Sequence, residues 1–432
     1  MAGTNLYRST TTRTNDRKFT FSCWFKKSTT GTDEYFVTNY ENGNNFGYIN
    51  NGNTDKFVIY DKAGGTERLQ AESNFVIRDT NAWYHLVYSV DSTASSNRVK
   101  FYINGVDRFS DFTVATAMAQ NVEVGFQKGV VSNGFRVGSQ QTGSTTFNGL
   151  MSHVNFVDGL QLDASAFGET DSTTGEWKIK TSPTVSEYGN NGFFILKDGN
   201  SVTDQSGKGN NFGIGGSVGS LTKSEDCPSN VFCTLNPLAR GDLTNNAILS
   251  NGNTYYSSDQ TGYNIRAGTI GANKGKFYWE GKFISHNPQT SPGMPLGIIA
   301  DNIPIATNVA GGQAPYYYAY NYDGSNGTVT YNSSDTNYGT TILNTVGQIG
   351  MVALDLDNNK VYFGVNGTWT NSGNPANGTN GYSIIDPADT PLGFYLPAVS
   401  DRSSIREYVY AWNFGNGYFG TTAVSSAGTN AS

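Results

Sequence analysis

The feature that most constrains this chain is alternation at a period of two, cut at short intervals by Asn-Gly pairs. Residues 56–60, 83–90, 99–103, 276–284, 350–356 and 361–365 each carry apolar or aromatic side chains on alternate positions. A strand turns successive side chains to opposite faces, so each segment can bury one face against a core. The Asn-Gly pairs at 42–43, 104–105 and 366–367 supply the positive φ that two-residue hairpin turns require. Helical periodicity is confined to one capped turn at 163–167 and an ambiguous run at 114–120. The pattern predicts an all-β chain of antiparallel sandwiches, with no helix beyond about three turns.

The 432 residues suit two such domains. Charged residues make up 15% of the chain, below the roughly 25% of an average soluble protein. Gly, Ser, Thr and Asn fill the polar positions, while 26 Tyr and 25 Phe supply bulk for cores. We read residues 1–167 as one sandwich, 168–240 as a structured connector and 241–432 as a second sandwich. The connector is not a flexible linker, because 192–196 and 231–235 can each bury a strand.

Net charge is −7, and the second half is acidic as well, so no basic face invites nucleic acid. No apolar run reaches the roughly 20 residues of a membrane span. The first twelve residues lack the apolar stretch of a secretory leader. Three cysteines do not make a disulfide framework. Cys23 falls in phase with Phe21 and Phe25 as a core residue. Cys227 and Cys233 allow a local bridge or two buried thiols.

Glycoside hydrolysis with a nucleophile and an acid needs two carboxylates about 5–5.5 Å apart, and the Glu-x-Asp-x-(x)-Glu strand pattern does not occur. Asp355 and Asp357 share a face but enter the turn at 357–360, which accounts for them. His85 and His153 sit in strand segments and read as structural. No short paired Cys/His spacing offers a zinc site. We therefore expect no catalytic residue and no enzyme activity.

Binding signals are softer. The run 315–323, with Tyr316, Tyr318, Tyr320 and Asp323, gathers aromatic rings beside polar groups, a composition that stacks sugars or anchors proteins. It reads also as a buried strand whose alternate tyrosines line a core. His286 opens the loop 286–292, Trp369 follows the Asn366-Gly367 turn, and Tyr40 and Asn42 lie in a polar-aromatic stretch at 35–45. These eight residues form the candidate ligand-binding set, placed on loop rims because sandwich strands commit one face to the core.

Three segments resemble the laminin G-like, concanavalin A-like family: Phe19-Thr-Phe-Ser-Cys-Trp-Phe25, Trp83-Tyr-His85 with Val99-Lys-Phe-Tyr-Ile-Asn-Gly105, and Phe135-Arg-Val-Gly138 with Phe147-Asn-Gly-Leu150. Ser152 and His153 stand where that family commonly has an acidic pair, so no role of those acids is carried over. The second half resembles SPRY domains through 275–280, 347–357, 361–367 and Trp412-Asn-Phe-Gly415. The run 230–238, with Cys-Thr-Leu-Asn-Pro-Leu, is similar to a segment of marine phage structural proteins that joins these two modules.

The resemblance implies concanavalin A-like jelly-rolls in a tailed-phage virion protein: a tail fibre, spike or surface adhesin. Such a protein is assembled in the host cytoplasm and carried outside on the free particle. It implies contact with other virion proteins and a host-surface glycan or receptor, as a homo-oligomer, with a trimer preferred. Neither nucleic-acid binding nor membrane insertion is expected. Some laminin G-like domains bind calcium, which needs only oxygen ligands, but no site is identifiable here and no other cofactor is expected. A purely architectural capsid or tail decoration and a glycan depolymerase are the alternatives, the second disfavoured by the missing carboxylate pattern.

Overall fold

Two of the three Asn-Gly pairs at 42, 104 and 366 close hairpins as expected, whereas Asn42 ends its strand and neither it nor Gly43 takes a positive φ. Asn104 and Gly105 adopt φ of 48° and 81°, and Asn366 and Gly367 adopt 49° and 82°, the left-handed pair of a type I′ turn. In the computed structural model of the protein, half of the chain is strand and 4% is helix, and the helical pieces among the described residues are single 3₁₀ turns. The structure describes residues 4–127, 130–132, 134–173, 175–197, 201–216, 221, 226–240, 247–258, 265–286, 296–301, 316–323, 326–332, 334–339, 343, 345–400, 408–420 and 422–424. The chain divides into two units, the first essentially 1–223 with 227–231 and the second 224–226 with 232–432. All strand pairs named below are antiparallel.

The first unit is a sandwich of an eight-stranded and a six-stranded sheet. In the eight-stranded sheet the order is Phe112–Thr116, Thr66–Ser73, Phe57–Ala63, Asn45–Asn51, Glu34–Asn42, Phe135–Val137, Thr4–Arg8, Gly213–Gly216. In the other it is Phe193–Ile195, Gly149–Asp158, Lys18–Lys27, Tyr84–Asp91, Val99–Ile103, Val106–Asp107. Alternation sends Phe19, Phe21, Cys23 and Phe25 into the core between the sheets, where they meet Phe36, Ile49, Phe57 and Ile59. Phe19 stacks on Phe126 at 4.9 Å and Phe25 meets Phe36 edge-on at 4.8 Å. Cys23 is fully buried, whereas Cys227 and Cys233 are half-buried and not bridged to each other.

The opposite face of the six-stranded sheet is not left to solvent. Residues 160–188 fold over it, burying Val87, Tyr102, Val157 and Phe167 in a second, smaller apolar cluster. Thr20 fastens this layer, since its hydroxyl donates to Leu160 O at 2.8 Å and accepts from Leu162 N at 2.9 Å. The layer includes a hairpin of Gly168–Thr170 and Trp177–Ile179.

The stretch read as a connector is therefore divided between the two units. Phe193–Ile195 extends the six-stranded sheet, pairing Val154 with Ile195. Gly213–Gly216 closes the edge of the eight-stranded one beside Thr4–Arg8. Leu235–Arg240 belongs instead to the second unit, beside Ile265–Gly268. The physical reason is pairing: each of these three sheets has an open edge that a short strand from 168–240 covers.

The second unit is also a two-sheet sandwich. One sheet runs Leu235–Arg240, Ile265–Gly268, Leu396–Ser400, Leu296–Ile299, Tyr317–Asp323, Asn326–Tyr331, Ser334–Asn337. The other runs Ile248–Ser250, Tyr255–Ser257, Tyr408–Asn413, Lys276–His286, Ile349–Asp355, Lys360–Val365, Thr368–Trp369, with Tyr382–Ser383 also beside Lys360–Val365. Trp279, Phe283, Phe363, Tyr410 and Trp412 fill the space between with Tyr318 and Tyr320. Asp355 accepts from Lys276 Nζ at 2.7 Å and from Asn358, so it serves the turn as expected, whereas Asp357 accepts from Gly275 N and ties the turn to the start of the neighbouring strand.

Candidate functional site

Two residues of the expected rim in the second unit lie in its core. Tyr318 and Tyr320 are 2% and 3% exposed, so their assignment as ligand contacts is corrected. Tyr318 stacks on Tyr331 at 4.3 Å, and Tyr320 stacks on Phe363 at 5.1 Å. Tyr317 is buried too, its hydroxyl donating to Ser400 Oγ at 2.9 Å. The outward-facing parity of this strand is thus covered as well at 317 and 319; the side chain of Tyr322 lies outside the described residues. Tyr316 precedes the strand, half-buried against the core with a φ of 54°. Asp323 pairs with Asn326 at the far end of the strand; its side chain lies outside the described residues. The same holds for the His286 side chain and for 287–295, so that loop is likewise outside them.

Trp369 is half-buried in a two-residue edge strand, edge-on to Tyr278 at 6.1 Å and to Tyr362 at 6.4 Å. In the first unit, Asn42 is exposed and its Oδ1 accepts from Asn44 N at 2.8 Å, holding its own turn. Tyr40 ends a ladder on the outer face of the eight-stranded sheet. Tyr35, Tyr48, Tyr60, Phe46 and Tyr40 follow one another at centroid distances of 5.4, 5.5, 5.2 and 5.8 Å. Tyr48, Tyr60 and Phe46 are near-parallel, so their faces are spent on each other as cross-strand pairs. The eight residues are divided between the units, Tyr40 and Asn42 in the first and the other six in the second.

What the structure does bring together is three of the six tryptophans. Trp24 and His85 are register partners on neighbouring strands, and both project to the face that residues 160–188 cover. Their rings stack at 4.8 Å and 16°. The hairpin then lays Trp177 beside His85 at 6.0 Å and 19°, so the three rings form one stack. Trp177 Nε1 donates to His85 Nδ1 at 3.1 Å. An indole N–H cannot accept, so Nδ1 is the bare nitrogen and the proton sits on Nε2, which donates to Ser22 Oγ at 2.9 Å. Complete burial drives the His85 pKa down to about 3, which keeps the ring neutral.

Beside this stack lies a cavity of about 530 Å³, walled by Trp24, Trp83 and Trp177, within the roughly 300–1,000 Å³ typical of small-ligand sites. Asn81, Thr181 and Ser229 add uncharged polar groups to the lining, and Glu176 and Lys178 add charge. Lys178 is engaged by its own hairpin, with Asp171 at 3.2 Å and Glu169 at 3.7 Å. Two lining groups are buried without a hydrogen-bond partner: the donor Trp24 Nε1 and the acceptor Asn81 Oδ1.

Trp83, His85 and Trp24 all stand in segments the sequence reading singled out, but as core or family markers. Trp177 escaped it altogether. Its signal is a lone large indole in the Ser/Thr/Gly-rich stretch 168–190, where an aromatic needs something to cover.

Residues 2–164 match the family described as the concanavalin A-like lectin/glucanases superfamily, laminin G type. No curated protein matches the chain. Among solved structures, the chain is similar to the SPRY domain of human HERC1, at 15% identity and a TM-score of 0.31, over 41% of this chain and 96% of that one. It is similar to the TRIM65 PSpry domain at 13% identity and a TM-score of 0.29, over 42% and 92%. It is also similar to a heptameric SAP-like pentraxin from Limulus polyphemus at 10% identity and a TM-score of 0.25, over 37% and 78%.

Proposed function

We propose that this chain is a surface-attachment protein that binds a glycan in the tryptophan-walled cavity of its first unit. The observation that carries this reading is the meeting of three indoles with uncharged hydrogen-bonding side chains around one concavity. Sugar rings offer C–H faces that pack on indole and hydroxyls that bond to amide and hydroxyl groups. The lectin component of the matched superfamily's description supports the same class. Binding without hydrolysis fits the lining, in which Glu176 is the single carboxylate among the described residues, whereas glycoside hydrolysis uses two.

The setting we propose is a phage virion, with the chain as a fibre, spike or surface adhesin anchored to other virion proteins, preferably as a trimer. This part rests on the resemblance of residues 230–238 and of the module order. The test is binding of the full recombinant chain to host cells and to a glycan panel, beside Asn81→Ala and Trp83→Ala. Both substitutions are expected to weaken binding about tenfold or more, with folding checked by circular dichroism. Wild-type binding by both variants would remove the cavity from the account.

A further inference from the structure

Asn-Gly pairs carry a chemistry of their own besides making turns, and the fold treats them unequally. We infer that Asn42 is a modification site, where the chain converts its own side-chain amide to isoaspartate or aspartate ahead of the other described Asn-Gly pairs. In that reaction the amide nitrogen of the following residue loses its proton to hydroxide and bonds to the asparagine Cγ. The Cγ–Nδ2 bond breaks, ammonia leaves with a proton from water, and water then opens the cyclic imide at either carbonyl. One water is consumed and one ammonia released. The step needs a nitrogen whose proton is free to leave, room for the main chain to close on its own side chain, and a donor for the charge that develops on Oδ1.

Asn42 has all three. Asn42, Gly43 and Asn44 are exposed at the tip of the hairpin between Glu34–Asn42 and Asn45–Asn51. Among the described residues Gly43 N has no hydrogen-bond acceptor, and a Cβ added at Gly43 would meet nothing within 4 Å. Asn44 N donates to Asn42 Oδ1 at 2.8 Å, so a donor is already aimed at the oxygen that takes the charge. The other pairs fall short. At Asn366, Gly367 N is held by Met351 Sδ at 3.0 Å and Oδ1 by Ile349 N at 2.8 Å. At Asn377, equally exposed, Gly378 N donates to Asn374 O at 3.0 Å. The glycines after Asn104 and Asn380 lie against rings, where an added Cβ would fall 2.5 Å from Trp177 and from Tyr362 respectively. In the remaining described pairs the asparagine or its glycine is buried or set in a strand. Either product puts a carboxylate at the tip, and isoaspartate lengthens the main chain there by one carbon. Gly65 N donates to Asn44 O at 3.0 Å and Gly64 N to Asn45 Oδ1 at 2.7 Å, so the change reaches two turns of the eight-stranded sheet.

The full chain is incubated in warm, mildly alkaline buffer made with heavy-oxygen water, native and in guanidinium chloride, and digested at intervals for peptide mass spectrometry. In the native chain, conversion at Asn42 is expected to run at least about tenfold faster than at Asn104, Asn366 or Asn377. In guanidinium chloride the four rates are expected to converge, because the fold no longer ranks them. Gly43→Ala, which the open space around Gly43 accommodates, should slow conversion at Asn42 and leave the other three unchanged. The inference is overturned if another of these pairs converts first in the native chain, if the ranking survives unfolding, or if Gly43→Ala leaves the rate at Asn42 as it was.

Discussion

The indole N–H of Trp177 donates to Nδ1 of His85 across 92 positions of sequence, at 3.1 Å, and that bond seats the wall of the candidate site. The seat is completed by two glycines. A Cβ on Gly105 or on Gly168 would fall 2.5 Å from the Trp177 ring. Gly105 is held further by its φ of 81°, where an L side chain is strained. The turn that ends the hairpin thus doubles as the surface on which the indole rests.

Gly105→Ala is therefore expected to displace Trp177 and to strain the turn together, costing about 1–3 kcal/mol. Gly168→Ala, whose φ is not in the left-handed region, tests the steric part alone. Both should weaken glycan binding and shift near-ultraviolet circular dichroism. Urea melts and ligand titration read the two effects, and a variant that keeps wild-type binding would show that Trp177 is not fixed by these contacts.

His85 makes acid stability a second test. Its pKa is about 3 in the folded chain against 6.5 for a free imidazole. Between those values the unfolded chain holds a proton that the folded one lacks, so His85 stabilises above about 6.5 and that contribution fades as pH falls toward 3. Asp61 and Glu34, each pushed up to about 7 by burial, act in the opposite sense: stability is lost as pH rises through the window below 7. The clean reading is a difference. The stability gap between wild type and His85→Gln should shrink on acidification by roughly 1.4 kcal/mol per pH unit at most. A gap independent of pH would mean that His85 is not held neutral.

Much of the fold was legible because alternation and turn chemistry agree locally. The strand at 99–103 is where the pattern put it, and 57–63, 84–91 and 360–365 differ from expectation only at their ends. The layer at 160–188 was not legible, because Thr20, Ser22 and Trp24 look like a solvent face until something covers them. Alternation tells which residues share a face, not whether that face meets water. The same limit misplaced the tyrosines: residues 317–320 are all buried, since both faces of that strand are covered. Trp177 lies far from Trp24 and His85 in sequence, and no local rule brings them together.

The correction at Tyr320 has a direct consequence. Tyr320→Ala removes a ring stacked on Phe363 and should cost about 3–5 kcal/mol, the range for a large core truncation. Trp369 is half-buried at a sheet edge, so Trp369→Ala should cost clearly less. Thermal or urea denaturation of both, in parallel, decides. Equal, small losses would return Tyr320 to the surface.

Asp61 offers the sharpest structural test. It lies in phase with Phe57, Ile59 and Ala63, so its strand points a carboxylate into the sandwich, where it is completely buried. The charge has a partner in backbone: Gly125 N and Phe126 N donate to its two oxygens, each at 2.8 Å. Those two bonds anchor the 3₁₀ turn Gly125–Gln127, and with it Phe126, which stacks on Phe19 in the core. Asp61→Ala strands both amides without solvent. At about 1–3 kcal/mol for each unsatisfied buried group, the loss should be several kcal/mol. Asp61→Asn keeps one carbonyl acceptor of the same size and should recover about half. A urea midpoint series across the three proteins measures this. If Ala and Asn variants melt alike and close to wild type, the turn is held by Phe126 packing and not by the carboxylate.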